Sequence, residues 1–333
     1  MNFDHYVVWG FKNSYHTHSH IHDGLFRGLK YMFPDKDVTW LDAGSGVDVD
    51  RPNTFFITNH DVAPQLPARQ DCFYMVHGGS DYAPVRDKFW GLRGHMSWNV
   101  FIDWTYAYDD SQPFGRRPIN RPEAIWVGED APYFPAWNHM DFRWATDLTP
   151  PEIEQMKAGA RPLNLESRVI NYVGTYWRVN EVEINRFGTA CAHNGVELRH
   201  LGAGQVDDRY TWLGHQKVVS PEENIRLVRE SYFAPAIVGS HHLTEGYAPC
   251  RIFKNISYGQ FGVTNSEKVN RLFGGRLICN PDPYLLFNIA RERLRTTSLD
   301  ELHGLMDYVA AKHTYVNRLT AVFKAVDLVM EGK

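Results

Sequence analysis

Short apolar runs, each closed by glycine or polar residues, recur along the chain and alternate with stretches of helical period. The first run is Tyr6–Trp9 (YVVW), ended by Gly10. After a polar loop, Ile21, Leu25, Leu29 and Met32 keep to one face, which predicts a helix from about Ile21. Val38–Leu41, Thr54–Thr58 (TFFIT), Cys72–Val76 (CFYMV), Trp98–Ile102 and Ala124–Val127 read as further strands. Polar groups stand at their ends: Asp42, Asn59-His60-Asp61 and His77-Gly78-Gly79. Ligands of open α/β sheets bind beyond the carboxyl ends of strands, so these residues are expected to line a cleft. The first loop has no G-x-G-x-x-G, so the dinucleotide fingerprint is absent.

The character changes between Asp141 and Glu166, where adjacent prolines and a short helical pattern mark a crossover. A second alternation follows. Val169–Val173 is a strand ending at Gly174, Asn180–His193 a helix and Val196–Leu201 a strand. Glu222–Ser231 is a helix, with Ser220 as N-cap, Pro221 in the first turn and Glu223 completing a capping box. Phe233–Val238 reads as a strand end, Gly239–Gly246 as a polar loop and Cys250–Tyr258 as a helix burying Ile252, Phe253 and Ile256. Gly259 closes that helix, and Phe261–Thr264 starts another strand. Arg276–Cys279 is a strand and Pro283–Arg293 a helix. A helix capped by Ser298 and Glu301 runs to about Ala311, and a last one spans Val316–Met330. The expectation is an α/β chain with Rossmann-like domains at 1–150 and 166–312, a linker at 151–165 and a helical tail at 313–333.

Composition narrows the function. The 333 residues are 43% hydrophobic and 22% charged, a globular balance that fits two domains. A formal net charge of -4 argues against a nucleic-acid partner or a membrane-coating role. Cys72, Cys191, Cys250 and Cys279 form no C-x-x-C pair, as expected of free thiols in a reducing compartment. The N-terminus lacks a signal-peptide core, and no run reaches the ~18 apolar residues of a transmembrane segment. A cytoplasmic protein is the expectation.

The stretch E-G-Y-x-P-x-R-I-F-K-N-I-S-Y-G-Q-F-G-V-T-N, from Glu245 to Asn265, resembles the nucleotide-sugar-binding segment of GT-B glycosyltransferases. The likeness is to the donor-binding segments of fucosyltransferase-like and exostosin-like members. Y-V-G-T-Y-W and E-E-N-I-R-L-V-R-E-S-Y-F-A-P-A extend it over Ile170–Asn280, and H-T-H-S-H-I-H-D-G-L is similar to an opening loop of glycosyltransferases of bacteria and large algal viruses. The resemblance implies the GT-B fold, two Rossmann-like domains facing each other across a cleft, with a C-terminal helix that packs back on the first. It implies a hexosyl- or pentosyltransferase that takes a UDP-sugar donor and a glycan or glycoconjugate acceptor, with no cofactor and no metal. Arg251 falls where the family places a basic residue against the donor diphosphate. Lys254 stands where many retaining members carry a ribose-binding glutamate, and the residue after the seven-residue gap from Glu245 is Phe253, so the E-x7-E pattern is absent and inversion is the expectation.

Sugar transfer needs donors for a leaving diphosphate and a base for the acceptor hydroxyl. Donor-binding candidates are Gly174, Thr175, Thr244, Glu245, Gly246, Tyr247, Arg251 and Lys254. Candidates for base or orienter are Asp23, His16 and His18, and for acceptor contacts His20, Asp61 and His77. Two rival readings stand beside this one. Alternating His16, His18, His20 and His22 suit a metal-dependent hydrolase, and a GT-B-like protein can bind sugar without turning it over.

Overall fold

The computed structural model describes residues 3–13, 16–102, 123–174, 180–202, 211–212 and 220–332. Along the chain the elements begin with β1 His5–Trp9, α1 Ser19–Met32, β2 Asp37–Leu41, β3 Thr54–Asn59, β4 Phe73–His77, α2 Ala83–Phe89 and β5 His95–Val100. Then come β6 Ile125–Gly128, β7 Ala131–Phe134, β8 His139–Phe142, α3 Pro150–Met156, β9 Val169–Val173, α4 Glu181–His193 and β10 Glu197–Leu201. They continue with β11 Thr211–Trp212, α5 Pro221–Glu230, β12 Pro235–Ala236, α6 Ser240–Glu245, α7 Cys250–Ser257, β13 Val263–Thr264 and α8 Glu267–Leu272. The last are β14 Ile278–Cys279, α9 Pro283–Leu294, α10 Leu299–Lys312 and α11 Tyr315–Glu331. They form two compact units, one running to Thr149 and resuming at Thr314, the other spanning Pro150–His313.

The first unit holds a sheet of order β2-β1-β3-β4-β5-β8-β7-β6, parallel from β2 to β8 and antiparallel through β7 and β6. The central strands are buried on both faces, which is why they read as continuous apolar runs. One face packs Val7, Trp9, Phe56, Tyr74 and Val76 against Val85 and Phe89 of α2. α1 lies in contact with α11, and a methyl group on Gly24 would come 2.3 Å from the Tyr315 ring. The buried Arg318 of α11 donates to the carbonyl of Arg143, 2.8 Å away, just beyond β8.

The second unit has two short parallel ladders, β11-β10-β9 and β12-β13-β14, among α3 to α10. Ser220 caps α5 by accepting from the Glu223 amide at 3.2 Å, and Glu223 spreads its carboxylate over Arg226 at 2.6 and 2.8 Å. A full capping box, Ser298 with Glu301, starts α10.

Several elements depart from expectation. The polar loop read at Gly239–Gly246 contains the helix α6, closed by Gly246 in the left-handed conformation. The strands at Phe233–Val238, Phe261–Thr264 and Arg276–Cys279 shrink to two residues each. In the first of these, Pro235 removes a ladder donor. β5 starts three residues before Trp98, and Asp141, read as the start of the crossover, is inside β8. β7 escaped notice because its run contains Pro132.

Candidate functional site

In the first unit, the exits of β1, β3 and β4 converge on the start of α1. Gly10 turns the chain with φ +98°, and Phe11 follows with φ +62°, a conformation an L-residue rarely holds. Asp42, at the end of β2, fixes the loop by accepting from the amides of Lys12 at 2.9 Å and Asn13 at 2.6 Å. The Phe11 ring stacks on His16 with centroids 3.8 Å apart. Strain held at a loop by such contacts is common at working sites.

His16 Nε2 stands 4.0 Å from Asp61 Oδ2, and the other oxygen of Asp61 is 3.2 Å from His60 Nε2. His18 Nδ1 is 3.2 Å from His16 Nδ1, and its ring centroid is 4.7 Å from that of His77. The register sets Asn59, His77 and Trp98 side by side on adjacent strands, and Asn59 Nδ2 donates to His77 Nδ1 at 3.2 Å. Burial drives the His18 imidazole strongly toward its neutral form, with the nearby histidines adding to it. Burial also lowers His16, against the pull of Asp61. The fully buried His22 is lowered to about 4, again by burial, while its Nδ1 donates to the Gly10 carbonyl at 2.9 Å. The cluster therefore presents imidazoles that burial keeps neutral, beside a half-exposed carboxylate.

His20 and Asp23 sit in the first turns of α1, both partly buried. The carboxylate facing His16 is Asp61. His20 and His22 alternate in sequence, yet successive helical residues turn by about 100°, which sends them to different sides. Among the described residues no three His, Cys, Asp or Glu side chains gather as metal ligands would.

In the second unit, the register pairs Tyr172 with His200 on the adjacent strands β9 and β10. Arg251, in the first turn of α7, lies over the Tyr172 ring with its guanidinium carbon 3.8 Å from the centroid. Its Nη1 donates to the Tyr172 hydroxyl at 2.7 Å and its Nε to the Val173 carbonyl at 3.0 Å. That leaves Nη2 with no hydrogen-bond partner among the described residues. A methyl on Gly174, whose φ is +141°, would come 2.4 Å from that nitrogen. Gly174 itself is spent: its amide donates to Leu201 at 2.9 Å and its carbonyl accepts from His200 at 2.7 Å. The glycine makes room for the guanidinium instead of offering its own backbone.

The other candidates take varied places. Lys254 is buried in α7, its Nζ 5.8 Å from the Tyr258 ring centroid. The hydroxyl of the exposed Thr244 donates back to Ser240 within α6 at 3.1 Å. Glu245 faces His241 at 3.4 Å, and Gly246 caps α6. Tyr247 stacks on His242 with centroids 4.5 Å apart. Thr175 lies outside the described residues. Sequence reading missed Tyr172 and His200, each two residues before a glycine at a strand exit, and that spacing is the signal that marks them.

No family model matches the chain, and no curated protein does. Solved structures do. An alpha-glucosyltransferase in complex with UDP and a 13-mer DNA containing a HMU base superposes on 97% of this chain and 99% of its own, with TM-score 0.58 and 7% identity. The fold is GT-B. A second alpha-glucosyltransferase structure, with UDP and a 13-mer DNA containing a central A:G mismatch, covers the same shares at TM-score 0.58 and 8% identity. A third, with UDP-glucose and DNA containing an abasic site, covers 98% of this GT-B chain and 99% of its own at TM-score 0.52 and 8% identity. Among the described residues no helix is long and apolar enough to cross a membrane.

Proposed function

We propose that the chain is a glycosyltransferase that moves a hexosyl or pentosyl unit from a UDP-sugar to a hydroxyl of a glycan or glycoconjugate, without a metal and with inversion. The observation that carries this reading is Arg251 Nη2, a donor left without a described partner at the carboxyl end of β9 while the rest of the guanidinium is locked in place. Strand exits are where open α/β folds bind ligands, and a fixed cation there stabilises charge growing on a leaving diphosphate. The eight-residue α7 adds the positive end of its dipole on the same side of its first turn. UDP and UDP-glucose in the GT-B structures above support the same donor class.

We assign the proton transfer to the first unit. The half-exposed Asp61 carboxylate, faced by Nε2 of neutral His16, takes the proton of the acceptor hydroxyl as the oxygen attacks the anomeric carbon and the nucleoside diphosphate leaves. His16 orients it, its own Nδ1 being held by the His18 amide at 3.1 Å. Asp23 and His18 stand as alternative base or orienter, with His20 and His77 as acceptor contacts. Sugar transfer through one such displacement inverts the anomeric carbon.

The experiment is incubation of the purified chain with a panel of nucleotide sugars, glycan acceptors and excess chelator, followed by mass and anomeric analysis of the product. The expected product is a glycan extended by one sugar with inverted configuration. A requirement for a divalent ion returns the hydrolase reading, and binding without turnover returns the sugar-binding one. Transfer to a DNA hydroxyl in place of a glycan keeps the enzyme but replaces the acceptor. Retention of configuration removes the single-displacement role of Asp61 and His16.

A further inference from the structure

Two glycines and one buried histidine tie the exits of β9 and β10 together. The Gly174 carbonyl accepts from His200 Nε2 at 2.7 Å. Gly202 passes so close that a methyl on it would stand 2.1 Å from that same oxygen. His200 is 2% exposed, and burial chiefly, with Arg251 nearby, holds its imidazole below its ordinary value. A neutral imidazole has one N–H to give, and here the Gly174 carbonyl receives it. On its other side Gly174 borders Arg251 Nη2. The turn is thus gripped from β10 and leaned upon by the guanidinium.

We propose that His200 is a positioning residue for donor binding: by holding the Gly174 carbonyl it fixes the turn against which Arg251 presents Nη2 to a nucleoside diphosphate. This rests on the donor reading given above. Tyr172 and the Val173 carbonyl set two edges of the guanidinium, and the Gly174 turn sets the third. If the Gly174 peptide rotated, its carbonyl would be free to face Nη2 and accept one of its two N–H groups, in competition with phosphate. His200 prevents that by keeping the carbonyl engaged. The ligand class follows from the chemistry of the presented group, a fixed fork nitrogen that suits phosphate oxygens.

The test uses the full chain, with UDP and uridine as probes in calorimetry. His200→Phe keeps an aromatic ring but no N–H, and His200→Gln keeps a side-chain N–H donor. His200→Phe is expected to bind UDP about five- to tenfold more weakly, the scale of one neutral hydrogen bond. Uridine, which carries no phosphate, is expected to bind as it does to the wild type. His200→Gln should recover most of the loss, and adding His200→Phe to Arg251→Ala should cost scarcely more than Arg251→Ala alone. Thermal melts of each variant establish that it is folded. Equal losses for UDP and uridine, no recovery in His200→Gln, or full additivity with Arg251→Ala overturns the positioning role while leaving the donor reading intact. A wild type that binds no nucleoside diphosphate overturns both.

Discussion

Arg251 sits over Tyr172, guanidinium carbon 3.8 Å from the ring centroid, and donates to the same residue's hydroxyl at 2.7 Å. A single aromatic side chain therefore holds the cation both through its ring and through its hydroxyl. Arg251→Ala is expected to weaken UDP binding roughly ten- to a hundredfold, the range of a charge-assisted contact. Arg251→Lys should restore little, because a single ammonium nitrogen cannot meet Val173 and Tyr172 and still present a second nitrogen to phosphate. Calorimetry with UDP decides it. Equal affinity in wild type and Arg251→Ala would place the diphosphate elsewhere.

His16 and Asp61 give the second prediction. Asp61→Asn keeps the shape and removes the charge facing His16 at 4.0 Å. It and His16→Ala should each cut kcat by about a hundredfold while leaving UDP affinity nearly unchanged. The double variant should be scarcely worse than either single one, since residues that act as a unit do not add. Asp23→Asn, measured beside them, should fall less. A larger loss in Asp23→Asn than in Asp61→Asn would transfer the role of the carboxylate to Asp23.

Much of this was written in the sequence, and the gaps have physical causes. The central strands were legible because a sheet buried on both faces leaves apolar runs such as Phe55, Phe56 and Ile57. α6 was not, since its six residues include one aliphatic side chain, Leu243, and so carry no periodicity. The residue type of Arg251 and its place at the start of α7 could be read in advance. Its packing on Tyr172 could not, because that depends on how α7 meets β9. The approach of Asp61 to His16 likewise depends on two strand exits brought together by the parallel register of β1 and β3.

A third prediction concerns α1 and α11. Gly24 leaves no room for a side chain, since a methyl there would meet the Tyr315 ring at 2.3 Å and the Asp147 backbone at 3.2 Å. Tyr315 is buried in the first turn of α11 and cannot swing into solvent without uncovering the core. Gly24→Ala should therefore destabilise the chain by about 1–3 kcal/mol, the usual cost of overpacking, despite the better helix propensity of alanine. A urea midpoint equal to or above that of the wild type would show that the helices part at no cost.

The last prediction is a pH dependence of stability that belongs to His22. Its folded-state value is lowered to about 4, mainly by burial, whereas an unfolded histidine titrates near 6.5. Between those values the unfolded chain binds the proton and the folded chain does not. Stability therefore rises with pH across that window. It is fully present above about pH 6.5, is lost as the pH falls, and levels off for this group below about pH 4. From pH 7.5 down to pH 5 the loss from His22 alone comes to about 2 kcal/mol, with a slope of at most roughly 1.4 kcal/mol per unit. His18, also lowered by burial, loses stability in the same direction and continues below that window. His22→Asn keeps an amide donor near the place of Nδ1, which gives to the Gly10 carbonyl at 2.9 Å, but it does not titrate. The variant should start less stable at pH 7.5, because the smaller side chain leaves a void. On going to pH 5 it should then lose about 2 kcal/mol less than the wild type. Urea unfolding of both chains at the two pH values measures the difference directly. Parallel losses would mean that His22 keeps its ordinary titration in the folded chain, and the packing around Gly10 would have to admit the charged ring.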